Sequence, residues 1–166
     1  MCPGGMVVPA ASIRETVVTN GMSDFLRDGP NANAALVVSV DGRDFGNDPL
    51  DAVAFQERLE CRAWEASGSY RAPIQTVGRF LEGQPGSKLG NVVPSYPAGV
   101  CAGDFDALFP SVITRRMREG LRIFGRRLPG FDAPEAVLTA PETRTSSPIR
   151  ILRNEALMSP GATGLY

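Results

Sequence analysis

The stretch Glu142-Thr143-Arg144-Thr145-Ser146-Ser147-Pro148 has the residue types most suited to binding chemistry. Four hydroxyls and one guanidinium lie between two apolar segments. Hydroxyls, backbone N–H groups and Arg can cradle an anion or the polar edge of a ring. The plainer reading is a loop whose Ser and Thr satisfy their own backbone. Cys2-Pro3-Gly4-Gly5 places a thiol on a tight turn. A nucleophilic thiol needs a base or a nearby positive charge, and none is identifiable here. A free Cys is more often a small hydrophobe. The two glycines say more: the backbone turns sharply there, or approaches something closely. Arg115, Arg116, Arg118, Arg122, Arg126 and Arg127, with Glu119 between them, could face phosphate or nucleic acid. Ile113, Met117, Leu121 and Phe124 point the other way, as in an amphipathic helix with a solvated face, and there is no aromatic interleaving for base stacking. Asn31-Ala32-Asn33 and Asp24 form a further polar group, of a type common in turns.

Other chemistries are excluded by what is missing. The 166 residues contain no histidine, which removes the Ser-His-Asp triad, the Cys-His pair and the imidazole metal ligand. Of 17 cations only Lys88 is Lys, so lysine chemistry has little footing. Cys2, Cys61 and Cys101 match neither a disulfide framework nor a paired-cysteine metal site. A net charge of −1 makes no electrostatic case for nucleic acid or a membrane surface. There is no Gly-x-Gly-x-x-Gly and no phosphate-loop Gly-Lys-Ser/Thr. No apolar run reaches the ~18 residues of a membrane helix, and Met-Cys-Pro-Gly-Gly is not a signal peptide. The expectation is a cytoplasmic protein of a reducing compartment.

These residues must be positioned by a small, turn-rich domain. Val, Leu, Ile and Phe make up 41 of 166 residues, enough for a core, while 18 Gly and 14 Pro demand many connections. Residues 6–10 and 16–20 read as β-rich strands ended by the Asn20-Gly21 turn signal, and ALVVSV (35–40) as a buried strand. Asp48-Pro49 opens a helix to Ala66, with Leu50, Val53, Ala54, Cys61 and Trp64 near one face and Gly68 as the stop. A shorter helix is expected over 73–82, and an extended connection over 83–103. Asp104 caps a turn ending at Phe109, and Pro110 forces a new helix, 110–124. Strands at 136–140 and 149–153, and the start of another at 164–166, complete the pattern. Strands at both ends with helices between them predict an α+β fold.

Several segments occur together in a family order. MCPGG (1–5), VTNGMS (18–23), NANAALVV (31–38), DPL…FQ (48–56) and ETRTSSPIRILR (142–153) resemble the C-terminal half of the uncharacterised FAD-dependent dehydrogenases, large bacterial flavoproteins. YRAPIQTVGRFLEG (70–83), VVPSYPAGV (92–100) and LPGF (128–131) are similar too, so the resemblance covers essentially the whole chain, with ETRTSSPIR its most specific motif. It implies one partial domain over 1–166, a substrate-side domain inserted in the FAD-binding domain of an oxidoreductase. An upstream nucleotide-binding βαβ unit and a downstream Gly-rich segment would lie outside it, with Met1 an internal position. By resemblance, Arg144, Thr145, Ser146, Ser147 and Pro148 lie against the isoalloxazine, with Cys2, Gly4 and Gly5 near it. The flavin would perform the hydride chemistry on an unknown small molecule while protein residues position and tune it. The fragment alone would hold FAD weakly and be inactive, because the diphosphate grip lies elsewhere. Two alternatives remain: a non-catalytic module that docks a separately encoded FAD-binding half, and an interaction domain using the Arg-rich helix 115–127.

Overall fold

Two short strands open the chain in the computed structural model, which describes residues 2–166; Met1, expected to be an internal position, lies outside them. Strands β1 (Gly5–Pro9) and β2 (Thr19–Ser23) pair antiparallel, with Gly5 opposite Ser23 and Pro9 opposite Thr19. Helices α1 (Gly42–Phe45) and α2 (Pro49–Glu65) follow, then β3 (Ala72–Thr76) and α3 (Val77–Leu81). The chain continues through β4 (Val100–Ala102), α4 (Phe105–Leu108), α5 (Ser111–Arg127) and β5 (Val137–Thr139). A second sheet has the order β4-β3-β5, parallel between β3 and β4 and antiparallel between β3 and β5. The fold is α+β, as expected. Among the described residues no helix is long and apolar enough to cross a membrane.

Helix α2 begins as its sequence dictates. The Asp48 carboxylate accepts the Leu50 N–H at 2.8 Å, Asp51 reaches back to the Asp48 N–H, and Pro49 occupies the first turn. The buried face differs from the one expected. Ala52, Phe55, Leu59, Glu60 and Ala63 are buried, whereas Leu50 is exposed at the helix start. These positions recur at helical spacing, and the stripe through Leu50 and Val53 lies about 130° away round the helix. Asp104 caps α4 by accepting from Asp106 and Ala107, and Pro110 separates α4 from α5 as its ring requires.

Five expectations are corrected. Residues 73–82 are not one helix: Ala72–Thr76 form the central strand β3, entirely buried, and only Val77–Leu81 are helical. Pairing on both sides overrides local propensity there, and the buried Gln75 amide is satisfied by donating to the Gln84 carbonyl and accepting the Phe105 N–H. The end of the 83–103 connection is β4, the edge strand beside it. The run 35–40 forms no ladder; Leu36 and Val38 pack against the core while Val37 is 60% exposed. The strand expected at 16–20 starts at Thr19 and continues through Asn20-Gly21 to Ser23. Asn33 explains that continuation, since its side chain lies where a Gly21 Cβ would approach it to 3.2 Å. The tail residues 149–153 and 164–166 form turns and irregular chain, largely exposed, with no neighbouring strand to pair with.

The core lies where α2, α4 and α5 meet the β4-β3-β5 sheet. Phe80 and Phe105 are fully buried with ring centroids 5.8 Å apart, and Phe105 meets Phe109 edge-on at 5.7 Å. Arg118 closes this cluster from outside. Its guanidinium lies 4.4 Å from the Phe80 ring centroid, donates to the Phe80 carbonyl at 2.7 Å and to Asp106 Oδ1 at 2.9 Å. Phe80→Ala is expected to cost about 3–5 kcal/mol through the cavity it leaves, read as a shifted urea midpoint at unchanged slope. Hydrogen bonding from Arg118 holds the Asp106 carboxyl below its ordinary value of 3.8. That stabilisation is therefore present above this value and is lost as pH falls through the lowered one. Asp106→Asn should cost up to about 1 kcal/mol at pH 7, because the carboxylate is part-exposed, and the difference from the parent should vanish in acid.

Candidate functional site

A cleft of about 900 Å³ runs from the β1–β2 hairpin to the interior face of α5. One wall is the extended segment 31–38, which is held by backbone hydrogen bonds to Cys2 and Gly5 and by the side chains of Asn31 and Asn33. The opposite wall is β5 and the chain after it. Ala52, Phe55 and Leu59 of α2 and Ile113, Met117 and Leu121 of α5 form the floor. The cleft gathers residues from both ends of the chain: Cys2 and Gly5 from the first turn, and Thr145, Ser146 and Pro148 from the tail.

Asn33 shapes the first of these ends. Cys2 N–H donates to the Asn33 carbonyl at 2.8 Å, and the Asn33 N–H returns a bond to Cys2 at 3.0 Å. The Asn33 carboxamide then donates to the carbonyls of Met6 (2.9 Å) and Met22 (2.8 Å), which face each other across the hairpin. A Cβ on Gly5 would collide with that carboxamide and come within 2.8 Å of the Cys2 carbonyl oxygen, so contacts inside the protein already require glycine there. Gly4 is buried at φ +63, against the Arg27 backbone, and does not line the cleft. Cys2 is exposed.

Glu60 shapes the other end. Its side chain is 1% exposed, and Arg144 clamps it with Nε to Oε1 at 3.0 Å and Nη2 to Oε2 at 2.7 Å. Thr143 Oγ1 donates to Oε1 at 2.6 Å, and a further Arg144 nitrogen donates to Ser12. Gln56, one turn earlier on α2, donates to the Thr143 carbonyl at 2.8 Å. Arg144 is thus committed to a buried carboxylate and does not line the cleft; Ser147 turns to its own backbone, bonding Ile149 N–H and carbonyl. Among the described residues, Thr145 and Ser146 side chains make no hydrogen bond within the protein, leaving both hydroxyls free at the rim. Glu142 lines the same rim, where burial pushes its carboxyl above the usual range.

Asn33, Gln56 and Glu60 organise the site, and the sequence reading did not single out the last two. A charged residue inside the α2 stripe Ala52-Phe55-Leu59-Ala63 was the available signal for Glu60, because a buried carboxylate demands a cationic partner. The Arg-rich segment is mixed: Arg118 is committed to Asp106 and Phe80, and Arg116 donates to the Ser39 carbonyl at 3.3 Å. Arg115, Arg122, Arg126 and Arg127 lie on its exposed side. Arg144→Ala is expected to cost about 3 kcal/mol, because it leaves Glu60 buried and unpaired; adding Glu60→Gln should recover part of that loss in chemical unfolding.

A family model described as FAD-dependent protein, C-terminal domain-like matches residues 1–145. An uncharacterised protein of Clostridium beijerinckii is 44% identical over 168 residues, which cover all of this chain and 32% of the relative. The chain thus spans about a third of the length of the curated relative it matches. With the match extending from the Cys2 turn to the hydroxyl-rich rim, the chain belongs to the FAD-dependent protein, C-terminal domain-like family.

Proposed function

We propose that this chain supplies the substrate-side domain and one wall of the flavin pocket of an FAD-dependent oxidoreductase. The observation that carries the reading is the convergence of Cys2 and Gly5 with Thr145, Ser146 and Pro148 on one cleft, in a chain whose family is FAD-dependent. The residues suit a flavin ring. Free hydroxyls at Thr145 and Ser146 match the alternating donors and acceptors of the ring's polar edge, and the apolar floor matches its faces. Bound there, the flavin would supply the hydride or electron transfer. Thr145 and Ser146 orient the ring edge, Pro148 packs beside it, and the β1 turn bounds the opposite side. Arg144 acts as a positioning residue: by clamping Glu60 it fixes where the chain emerges at Thr145.

The same residues do not suit the diphosphate of FAD. The N-terminus of α2, a natural anion site, is already filled by the carboxylates of Asp48 and Asp51. The remainder of the FAD-binding domain, from the same or a separate chain, is therefore the proposed partner and the source of the diphosphate grip. Phe25, 97% exposed, and Leu26, 73% exposed, at the tip beyond β2 support an apolar surface for that partner.

Quenching of flavin fluorescence tests this reading on the 166-residue chain. Lumiflavin, which has no diphosphate, and FAD should bind weakly and within about tenfold of each other, that is within about 1.4 kcal/mol. Thr145→Ala combined with Ser146→Ala should weaken lumiflavin by roughly tenfold through two lost hydrogen bonds, without changing the unfolding midpoint. FAD binding a hundredfold tighter than lumiflavin, or no quenching of either, would overturn the assignment.

A further inference from the structure

We propose that the interior of the cleft takes an uncharged, apolar ring compound as the substrate of the flavin site, and rejects substrates carrying a carboxylate or phosphate. The proposal rests on the flavin reading above and specifies what that site acts upon.

Charge is the first argument. Among the described residues lining the cleft there is no Lys or Arg. Of the guanidiniums adjacent in sequence to lining residues, three are turned to other partners, while Arg58 lies over the outer side of α2 against the Phe55 ring and Arg122 is on the exposed side of α5. Arg144, between Thr143 and Thr145, binds Glu60; Arg116 and Arg118, flanking Met117, bind the Ser39 carbonyl and Asp106. Among the described lining residues the only acid is Glu142, which as a carboxylate repels an anion and as a neutral acid offers a single hydrogen-bond donor. An anionic substrate would lose its hydration here and find no cation in return.

Shape and surface are the second argument. Leu36, Phe45, Phe109, Phe131 and Leu138 line the cleft and are only half-buried, so apolar area remains uncovered in its interior. Its volume of about 900 Å³ lies near the top of the ~300–1,000 Å³ range of small-molecule sites, enough for a second ring beyond the rim residues. Three aromatic faces among those five side chains favour a ring over a flexible chain. The polar side chains of the lining, among them Asn31, Gln56, Ser95, Thr139, Thr145 and Ser146, carry no charge apart from Glu142.

Two probes that differ by one sulfonate read this out: N-phenyl-1-naphthylamine, which is neutral, and 8-anilino-1-naphthalenesulfonate. In fluorescence titrations of the 166-residue chain the neutral probe should bind at least tenfold more tightly. Val93 lines the mouth and is 72% exposed, so Val93→Arg can add a cation there without disturbing the core. That variant should tighten the sulfonated probe at least tenfold and leave the neutral one unchanged. Equal affinities for the two probes, with lumiflavin still bound, would overturn the substrate class and leave the flavin wall standing. Discrimination between the probes with no flavin bound would instead remove the flavin reading, and with it the cleft's role as a substrate site. A Val93→Arg variant without effect on the sulfonated probe would place the probes outside the cleft and overturn the proposal.

Discussion

A carboxylate buried on a helix cannot stay there alone, and the Glu60–Arg144 pair is the constraint on which this arrangement depends. Glu60 is 1% exposed in the middle of the apolar face of α2, and its partner comes from 84 residues away. Meeting that demand draws the chain after β5 across α2. The same segment is held from the other side, where Thr19 N–H and Oγ1 both donate to the Pro141 carbonyl at 2.8 and 3.0 Å. Val17 N–H donates in turn to the Glu60 carbonyl at 3.1 Å. Three stretches far apart in sequence thus converge on one helical turn. A planar bidentate guanidinium is suited to this task, since it saturates both carboxylate oxygens with fixed geometry.

The walls of the cleft are held by polar side chains as well as by backbone pairing. Segment 31–38 gains its position from Asn33, whose single carboxamide bonds both strands of the hairpin, and from Asn31, which donates to the Val93 carbonyl at 2.9 Å. Segment 143–146 gains its position from Gln56 and Glu60. Between these two clamps the aromatic side chains of Phe45, Phe109 and Phe131 remain half-buried, and the space they border stays open. Polar anchors at the rim and apolar surface within form the division of labour common to small-molecule sites.

Local signals were readable wherever a residue acts on its own neighbours. Asp48-Pro49, Asp104 and Pro110 mark helix boundaries because capping and ring closure operate within one turn. β5 was readable from its β-branched residues. The run 35–40 was not, because an apolar run becomes a strand only if another strand is there to pair with it. Ala72–Thr76 show the reverse: weak strand propensity became the central strand once β4 and β5 flanked it. Asn20-Gly21 continues a strand for a similar reason, since the residue packed closely on Gly21 is Asn33, outside the local window.

By itself, the sequence determined the absence of imidazole chemistry, the α+β class, the caps of α2 and α4, and the family, which its motifs carry in order. Only the tertiary structure decided the role of each residue in the hydroxyl-rich motif. Residue type alone made Arg144, Thr145, Ser146 and Ser147 equal candidates. Folding separates them: Arg144 answers a buried charge, Ser147 closes on its own backbone, and Thr145 and Ser146 are left open at the cleft. The physical reason is that a side chain's availability depends on what else demands it. For Arg144 that demand comes from Glu60, a residue 84 positions away that no local pattern connects to it.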